Sequence, residues 1–143
     1  MSPLVALVAL ATASFMAGVL WVIQIVHYPL LDEVPDSSIE RVALRHQRLI
    51  TRVVGPTMIV EAISSLWILL LVPESLFYLA LASFTLLLIA VGVTIFQAVP
   101  LHSRIAQGTS HLIPRLIQIN WPRTIAWSLR IPCGALLVYQ TLN

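Results

Sequence analysis

The sequence predicts an all-α integral membrane protein, an antiparallel bundle of four transmembrane helices. Of the 143 residues, 59% are hydrophobic and 10% are charged, and the mean hydropathy is +0.94. Soluble domains carry about 25% charged residues, and this chain lacks the polar side chains that would cover a core in water. Because a spanning helix needs about 20 apolar residues, the length allows about four spans within a single transmembrane domain, residues 1–143.

Four apolar segments are the predicted spans. In order they are residues 3–28, 53–72, 76–98 and 120–139, each with approximate ends. The first is too long for the apolar part of a signal peptide and lacks a small-residue cleavage site, so we expect it to be retained. Polar connections that begin at Pro29 and Val99 are expected after spans one and three, whereas Pro73-Glu74-Ser75 predicts a tight turn between spans two and three.

A basic segment, residues 37–52, precedes span two. Its first residues, Ser37-Ser38-Ile39-Glu40, have the spacing of a capping box, which predicts the start of a helix. Arginines then recur at intervals of three or four positions: Arg41, Arg45, Arg48 and Arg52. This pattern is typical of an amphipathic helix that rests on anionic lipid headgroups, so membrane lipid is an expected partner.

The arginines also predict the orientation of the chain. Apart from Arg130, the other seven lie in the two longer connections and the adjoining helix ends, whereas the termini and the Pro73 turn have none. Since basic residues concentrate on the cytoplasmic side, both termini should lie on the non-cytoplasmic side, and the bacterial inner membrane is the expected location. Four aromatic residues near span ends are expected in interfacial belts: Tyr28, Trp67, Tyr78 and Trp121. The basic residues lie beside the spans and form no exposed run, so binding to nucleic acid is not expected.

Polar side chains collect at the arginine-rich ends of the spans. They are Gln24 and His27 in span one, His46 before span two, Gln97 and His102 around the end of span three, and Asn120 and Arg123 in span four. In an up-down-up-down bundle these four ends meet at one membrane face. The sequence therefore predicts a buried polar pocket near the cytoplasmic face.

Two ionisable residues, Glu61 and Arg130, lie deeper in spans two and four. Both are about nine residues from the arginine-rich side, or roughly 13–15 Å along a helix, and a charge at mid-membrane costs at least about 2.5–3.5 kcal/mol. We therefore predict an ion pair between them. Asn120, Arg123, Trp127 and Arg130 also share one helical stripe, which should face the bundle interior. Such an ion pair is compatible with either a structural or a functional role.

The cofactor is left open by the sequence. The metal-ligand or haem-ligand candidates are His27, His46 and His102, which the fold would have to bring together from three helix ends. No close His-x3-His or Glu-x-x-His pair is present, and the single Cys133 excludes an internal disulfide. Haem, a chlorophyll-type pigment, a metal ion or no cofactor all remain open.

Four short motifs lie near the arginine-rich ends of the spans. They are Gly18 with Val26-His27-Tyr28-Pro29-Leu30, Arg52 to Pro56, Val99-Pro100-Leu101-His102, and Asn120-Trp121-Pro122-Arg123. In these motifs the chain resembles the anthrone-oxygenase-like family of small four-helix membrane proteins. The resemblance implies oxidation of a polycyclic phenolic or quinone-like molecule by dioxygen. His27 or His102 would then be the base, and Asn120 and Arg123 would stabilise an enolate-like oxyanion.

Three functions are compatible with these observations. The first is an oxygenase or oxidoreductase acting on a lipophilic aromatic or quinone-like molecule, with Gln24, Glu61, Gln97, Trp127 and Arg130 as the polar network around the catalytic residues. The second is an accessory subunit of a larger membrane complex, or a homo-oligomer, in which a histidine binds haem or pigment. The third is a small proton-coupled transporter that uses Glu61, although the chain lacks paired broken helices.

Overall fold

The computed structural model describes residues 2–142, which are helical apart from short turns. The four long helices are α1 (Pro3–Asp32), α2 (Asp36–Leu71), α3 (Glu74–Ile105) and α4 (Ile113–Leu142). α3 opens with a 3₁₀ turn, and a second 3₁₀ turn, Ser110–Leu112, leads into α4. No β-strand occurs in the described residues. The predicted all-helical fold is confirmed.

Three of the helices, α1, α2 and α3, are long and apolar enough to cross a membrane. Their outer faces expose large hydrophobic side chains, including Leu4, Leu70 and Phe96, which are 68%, 70% and 78% exposed. Soluble monomers rarely expose extensive apolar surface of this kind. α4 is not among the three, and its hydropathy is lowered by the inward-facing polar residues of the predicted stripe.

The helices pack antiparallel, with α4 against both α1 and α3, and with α2 against α1 and α3. One end of the bundle contains the larger core cluster, which includes Met16, Leu87 and Leu116. At the other end α1 and α4 approach closely at Gly134. A Cβ atom added to this glycine would lie only 3.2 Å from Cδ1 of Leu10. The polar clusters described below therefore lie within a tightly packed four-helix frame.

Prolines do not end the helices where the sequence suggested polar connections. α1 continues through Pro29 to Asp32, and α3 continues through Pro100 to Ile105. In each helix a π-helical turn directly precedes this region, at Ile23–His27 and at Thr94–Ala98. A proline ring has no N–H and clashes with the carbonyl four residues earlier, and the wider π turn accommodates both effects. The expected polar connections from Pro29 and Val99 are thus largely helical.

The helix predicted from the basic segment is present, but the capping box is not formed. α2 begins at Asp36, its N-cap residue is Pro35, and no side chain caps its first turn. The chain enters this helix from the fixed backbone conformation of a proline, two positions earlier than the serine pattern required. Ser37 and Glu40 are therefore already inside the helix.

Candidate functional site

A buried cluster at the centre of the bundle contains the predicted ion pair. Nε of Arg130 lies 3.3 Å from Oε1 of Glu61, and the two side chains are 2% and 0% exposed. The indole Nε1 of Trp127 donates to both oxygens of the same carboxylate, at 3.1 and 2.9 Å. Arg130 also donates to the Ser83 carbonyl at 3.2 Å and to Oγ of Ser65 at 2.8 Å. We call these five residues the deep cluster, and the ion-pair prediction is confirmed.

The deep cluster joins helices and leaves little space for a ligand. Beside Arg130 lies a cavity of about 10 Å³, bordered by Ala6, Ala9, Ala13 and Gly134. That volume corresponds to roughly one water molecule. Through its hydrogen bonds Arg130 links α4 to Ser65 of α2 and Ser83 of α3, so the guanidinium group ties three helices together.

A second polar cluster lies nearer the N-terminus of α4. Its residue Arg123 precedes Arg130 by seven positions, which is about 10 Å at a rise of about 1.5 Å per residue. Asn120 donates to Oε1 of Gln24 at 2.7 Å, and NH1 of Arg123 donates to Oδ1 of Asn120 at 3.0 Å. Gln24 in turn donates to the carbonyl of Ile117 at 3.3 Å. These bonds join the π-helical turn of α1 to the inward face of α4 and fix the position of Arg123.

Tyr28 and His102 complete this second cluster. The Tyr28 hydroxyl lies 2.9 Å from Nε2 of His102, and the guanidinium of Arg123 lies against the same hydroxyl. Tyr28, His102 and Arg123 are all buried. In the tautomer with a free Nε2 lone pair, Tyr28 donates to His102, and its oxygen is then an acceptor beside the Arg123 guanidinium. We call Gln24, Tyr28, His102, Asn120 and Arg123 the cavity cluster.

The three histidines named as metal candidates lie together beside Tyr28. The rings of His27 and His46 are stacked, with centroids 4.1 Å apart and planes at 21°, and the His46 and His102 centroids are 5.4 Å apart. Stacked imidazoles direct their nitrogen lone pairs within parallel planes, away from a shared point. In residues 2–142 no group of three or more His, Cys, Asp or Glu side chains has the arrangement of a metal site.

A cavity of about 190 Å³ adjoins the cavity cluster. Its polar wall is formed by Tyr28, His46, His102 and Arg123, and its apolar wall includes Leu20, Ile23, Ile50 and Val54. The lining residues Thr51 of α2 and Val99 and Ser103 of α3 are exposed, so the cavity opens between these two helices. For comparison, a cavity of about 150 Å³ holds benzene. The space therefore matches a molecule with one ring or two fused rings.

The predicted site residues divide between the two clusters. Gln24, His102, Asn120 and Arg123 belong to the cavity cluster, and Glu61, Trp127 and Arg130 belong to the deep cluster. His27 is half-buried against His46, and its Nε2 atom is buried without a hydrogen-bond partner. Gln97 is exposed and outside both clusters. The single polar pocket suggested by the sequence is in fact two separate networks.

Tyr28 is the residue that the sequence pattern misplaced. It was expected in an interfacial belt, yet it is 1% exposed and bonded to His102. Trp67, Tyr78 and Trp121 are exposed, as a belt position requires. The signal that could have identified Tyr28 is its position between His27 and Pro29, since the proline is accommodated by the π turn that carries Gln24 and His27 inward.

The chain matches no protein-family model, no curated protein and no solved structure. The side chains of the cavity cluster indicate what kind of molecule it can bind. Arg123 and Tyr28 can donate hydrogen bonds to oxygen atoms of a ligand, and the neutral imidazole of His102 can accept a proton. With an apolar wall opposite, this arrangement suits a planar molecule that has polar oxygens on one edge.

Proposed function

We propose that the chain is an integral protein of the bacterial inner membrane in which all four helices cross the bilayer. The three long apolar helices support this, and α4 exposes Ile125, Leu129 and Leu136 on the face opposite its buried polar stripe. The distribution of the arginines supports an orientation with the cavity cluster near the cytoplasmic face and both termini on the other side. The exposed Arg41, Arg45, Arg48 and Arg52 then lie at the level of the lipid headgroups.

Within this membrane protein the cavity binds the ring of a lipophilic aromatic or quinone-like molecule, and the chain acts as an oxidoreductase on it. The observation that carries the proposal is the buried Tyr28–His102 pair beside Arg123, at the polar end of an otherwise apolar cavity. The opening between α2 and α3 faces the exposed apolar sides of these helices, which suits entry of a hydrophobic molecule from the bilayer.

The proposed reaction begins with loss of a proton from a ring hydroxyl or an acidic ring C–H. Tyr28 takes this proton as its own hydroxyl proton moves to Nε2 of His102, while Arg123 stabilises the negative oxygen that develops on the ring. For a quinol, transfer of two electrons and two protons to dioxygen then gives the quinone and hydrogen peroxide. Asn120 and Gln24 hold Arg123 in place by the bonds described above.

Oxygen consumption by the protein in lipid nanodiscs tests this function. The panel contains an anthrone, a naphthoquinol and a benzoquinol with a short alkyl tail, and product formation is followed by absorbance. We expect turnover that falls about 10²-fold or more in Tyr28→Phe and His102→Gln, in line with loss of general acid–base catalysis. The exposed Tyr78 and His111 provide the matched controls Tyr78→Phe and His111→Gln, which should keep full activity.

Two results would contradict the proposal. Absence of turnover with every compound, together with absence of binding, would remove the function. Turnover that is equal in the wild type, Tyr28→Phe and His102→Gln would move the chemistry to another part of the molecule.

A further inference from the structure

Arg123 is a buried cation without a carboxylate partner. Its side chain is 7% exposed, and its contacts are the neutral groups of Asn120 and Tyr28. In residues 2–142 no carboxylate lies within ion-pair distance of it, and the buried carboxylate of Glu61 is paired with Arg130. The two buried arginines of α4 therefore differ in one respect, since only Arg130 has a countercharge.

An uncompensated guanidinium in this position favours a negatively charged ligand. Arginine stays protonated in proteins, and buried charges are normally paired because desolvation is costly. Nε of Arg123 is buried and has no hydrogen-bond partner, so the group also retains an unused donor. Because Arg123 lines the cavity of about 190 Å³, an anion bound there would supply the missing countercharge.

The shape of the cavity restricts the class of anion. Three flat side chains, Tyr28, His46 and His102, border it, and they favour stacking or edge contacts with a planar ring. The volume matches one ring or two fused rings by comparison with the benzene-sized cavity of about 150 Å³. The opposite wall of the cavity is aliphatic. It therefore lacks the several hydrogen-bond donors that a phosphate headgroup needs, which disfavours such a group.

We propose that the cavity binds its ligand as an anion, an ionised hydroxyquinone or acidic phenol of one or two fused rings with its negative oxygen on Arg123. This rests on the proposed function and names the ligand class of the same site, since a ring that has given its proton to the Tyr28–His102 pair is an anion of the same kind. The bound ring oxygen accepts from the guanidinium of Arg123, and the aliphatic side chains of Ile23, Ile50 and Val54 cover the ring. The ligand would enter between α2 and α3 with its charge at the inner end.

A matched pair of ligands tests the charge directly. The first, 2-hydroxy-1,4-naphthoquinone, is ionised at neutral pH, and the second, its 2-methoxy ether, has nearly the same shape but no charge. Binding to wild-type protein in nanodiscs is measured by calorimetry, with empty nanodiscs as the background. We expect the anion to bind about ten-fold or more tightly than the ether, as a charge-assisted hydrogen bond predicts. This comparison needs no variant and is independent of folding effects.

Substitutions at Arg123 then locate the charge. Arg123→Gln should weaken binding of the anion by about ten-fold to a hundred-fold and leave binding of the ether unchanged, and Arg123→Lys should recover part of the loss. Arg115→Gln is the control, since Arg115 lies on the same helix and is exposed.

The possible failures are distinguishable. Equal affinity for the ether and the anion would overturn the inference while leaving the pocket in place. Tighter binding of decanoate than of the hydroxynaphthoquinone would overturn the aromatic class of the anion. Binding of the anion at Arg123 without oxidation of any quinol or anthrone would instead contradict the proposed oxidoreductase function alone.

Discussion

The indole Nε1 of Trp127 lies 3.1 and 2.9 Å from the two carboxylate oxygens of Glu61, and it donates to both. Arg130 approaches the same carboxylate at 3.3 Å. Glu61 is thus held between a cation and a neutral donor that lie three positions apart on α4 and so share one helical face. The carboxylate of α2 is fully buried because α4 satisfies both its charge and its hydrogen-bonding capacity.

Replacement of Glu61 by Gln should destabilise the protein strongly. Arg130 would remain buried without a countercharge, and breaking a buried ion pair in this way costs about 3–5 kcal/mol. The free energy of unfolding can be measured by titrating SDS into mixed micelles. Glu74→Gln, in the exposed 3₁₀ turn that opens α3, is the matched control and should be neutral. The double variant Glu61→Gln/Arg130→Met should recover much of the loss, so a double variant as unstable as the single one would contradict this explanation.

Trp127→Phe should destabilise the protein by about 1–3 kcal/mol. Phenylalanine fills most of the indole volume but donates no hydrogen bond, so the Glu61 carboxylate would lose a buried donor. The same SDS titration measures the change in unfolding free energy. Trp67 is 53% exposed, so Trp67→Phe is expected to have little effect. Equal effects at the two positions would show that loss of indole volume, and not loss of the Glu61 hydrogen bond, is responsible.

Gly134→Val should destabilise the packing of α1 against α4 by about 1–3 kcal/mol, the usual range for overpacking. Even a single Cβ at this position would lie 3.2 Å from Cδ1 and 3.5 Å from Cα of Leu10. By contrast, a Cβ on Gly92 of α3 meets no atom within 4 Å, and Gly92→Ala should stabilise the helix by up to about 1 kcal/mol. Thermal unfolding in detergent compares the two. A neutral Gly134→Val would mean that the helices separate easily at this end.

The proposed orientation predicts which turns can be labelled from outside the cell. In a Cys133→Ser background, Ser75→Cys should react with a membrane-impermeant maleimide on intact spheroplasts, whereas Gln107→Cys should react only after the membrane is broken. Both positions are exposed on the surface of the bundle. The reverse pattern would invert the orientation, and labelling of both cysteines in intact spheroplasts would place the two turns on the same side and contradict four spans.

The ion pair was predictable from the sequence because two opposite charges at matching depth in apolar helices avoid the cost of an unpaired buried charge only by pairing. The buried stripe on α4 followed from helical spacing, and the structure buries Asn120, Arg123, Trp127 and Arg130. Spacing could not reveal that the Trp127 indole reaches Glu61, since that contact depends on how α2 and α4 pack. Gln97 is five positions from His102, which is about 140° around an α-helix, so regular helical spacing already puts the two on different faces.

The burial of Tyr28 and the positions of the helix ends could not be predicted from the sequence, for one physical reason. Pro29 and Pro100 indicate helix ends by their missing N–H groups, but the π-helical turns Ile23–His27 and Thr94–Ala98 let both helices continue. Each extension carries one ring of the Tyr28–His102 pair. A pattern based on regular α-helix periodicity cannot place side chains that follow a change of helical geometry.

Each π turn holds one residue more than an α-helix would need over the same stretch. The wider geometry of each turn therefore depends on this extra residue, and a single deletion within either turn would leave a regular α-helix. A regular α-helix that kept every residue would instead rotate everything beyond the turn by about 100°, which would turn Tyr28 or His102 away from the cavity. The Tyr28–His102 pair thus depends on the wider helical geometry of two short segments, a constraint that tolerates change of residue type at the exposed Ile25 and Val26.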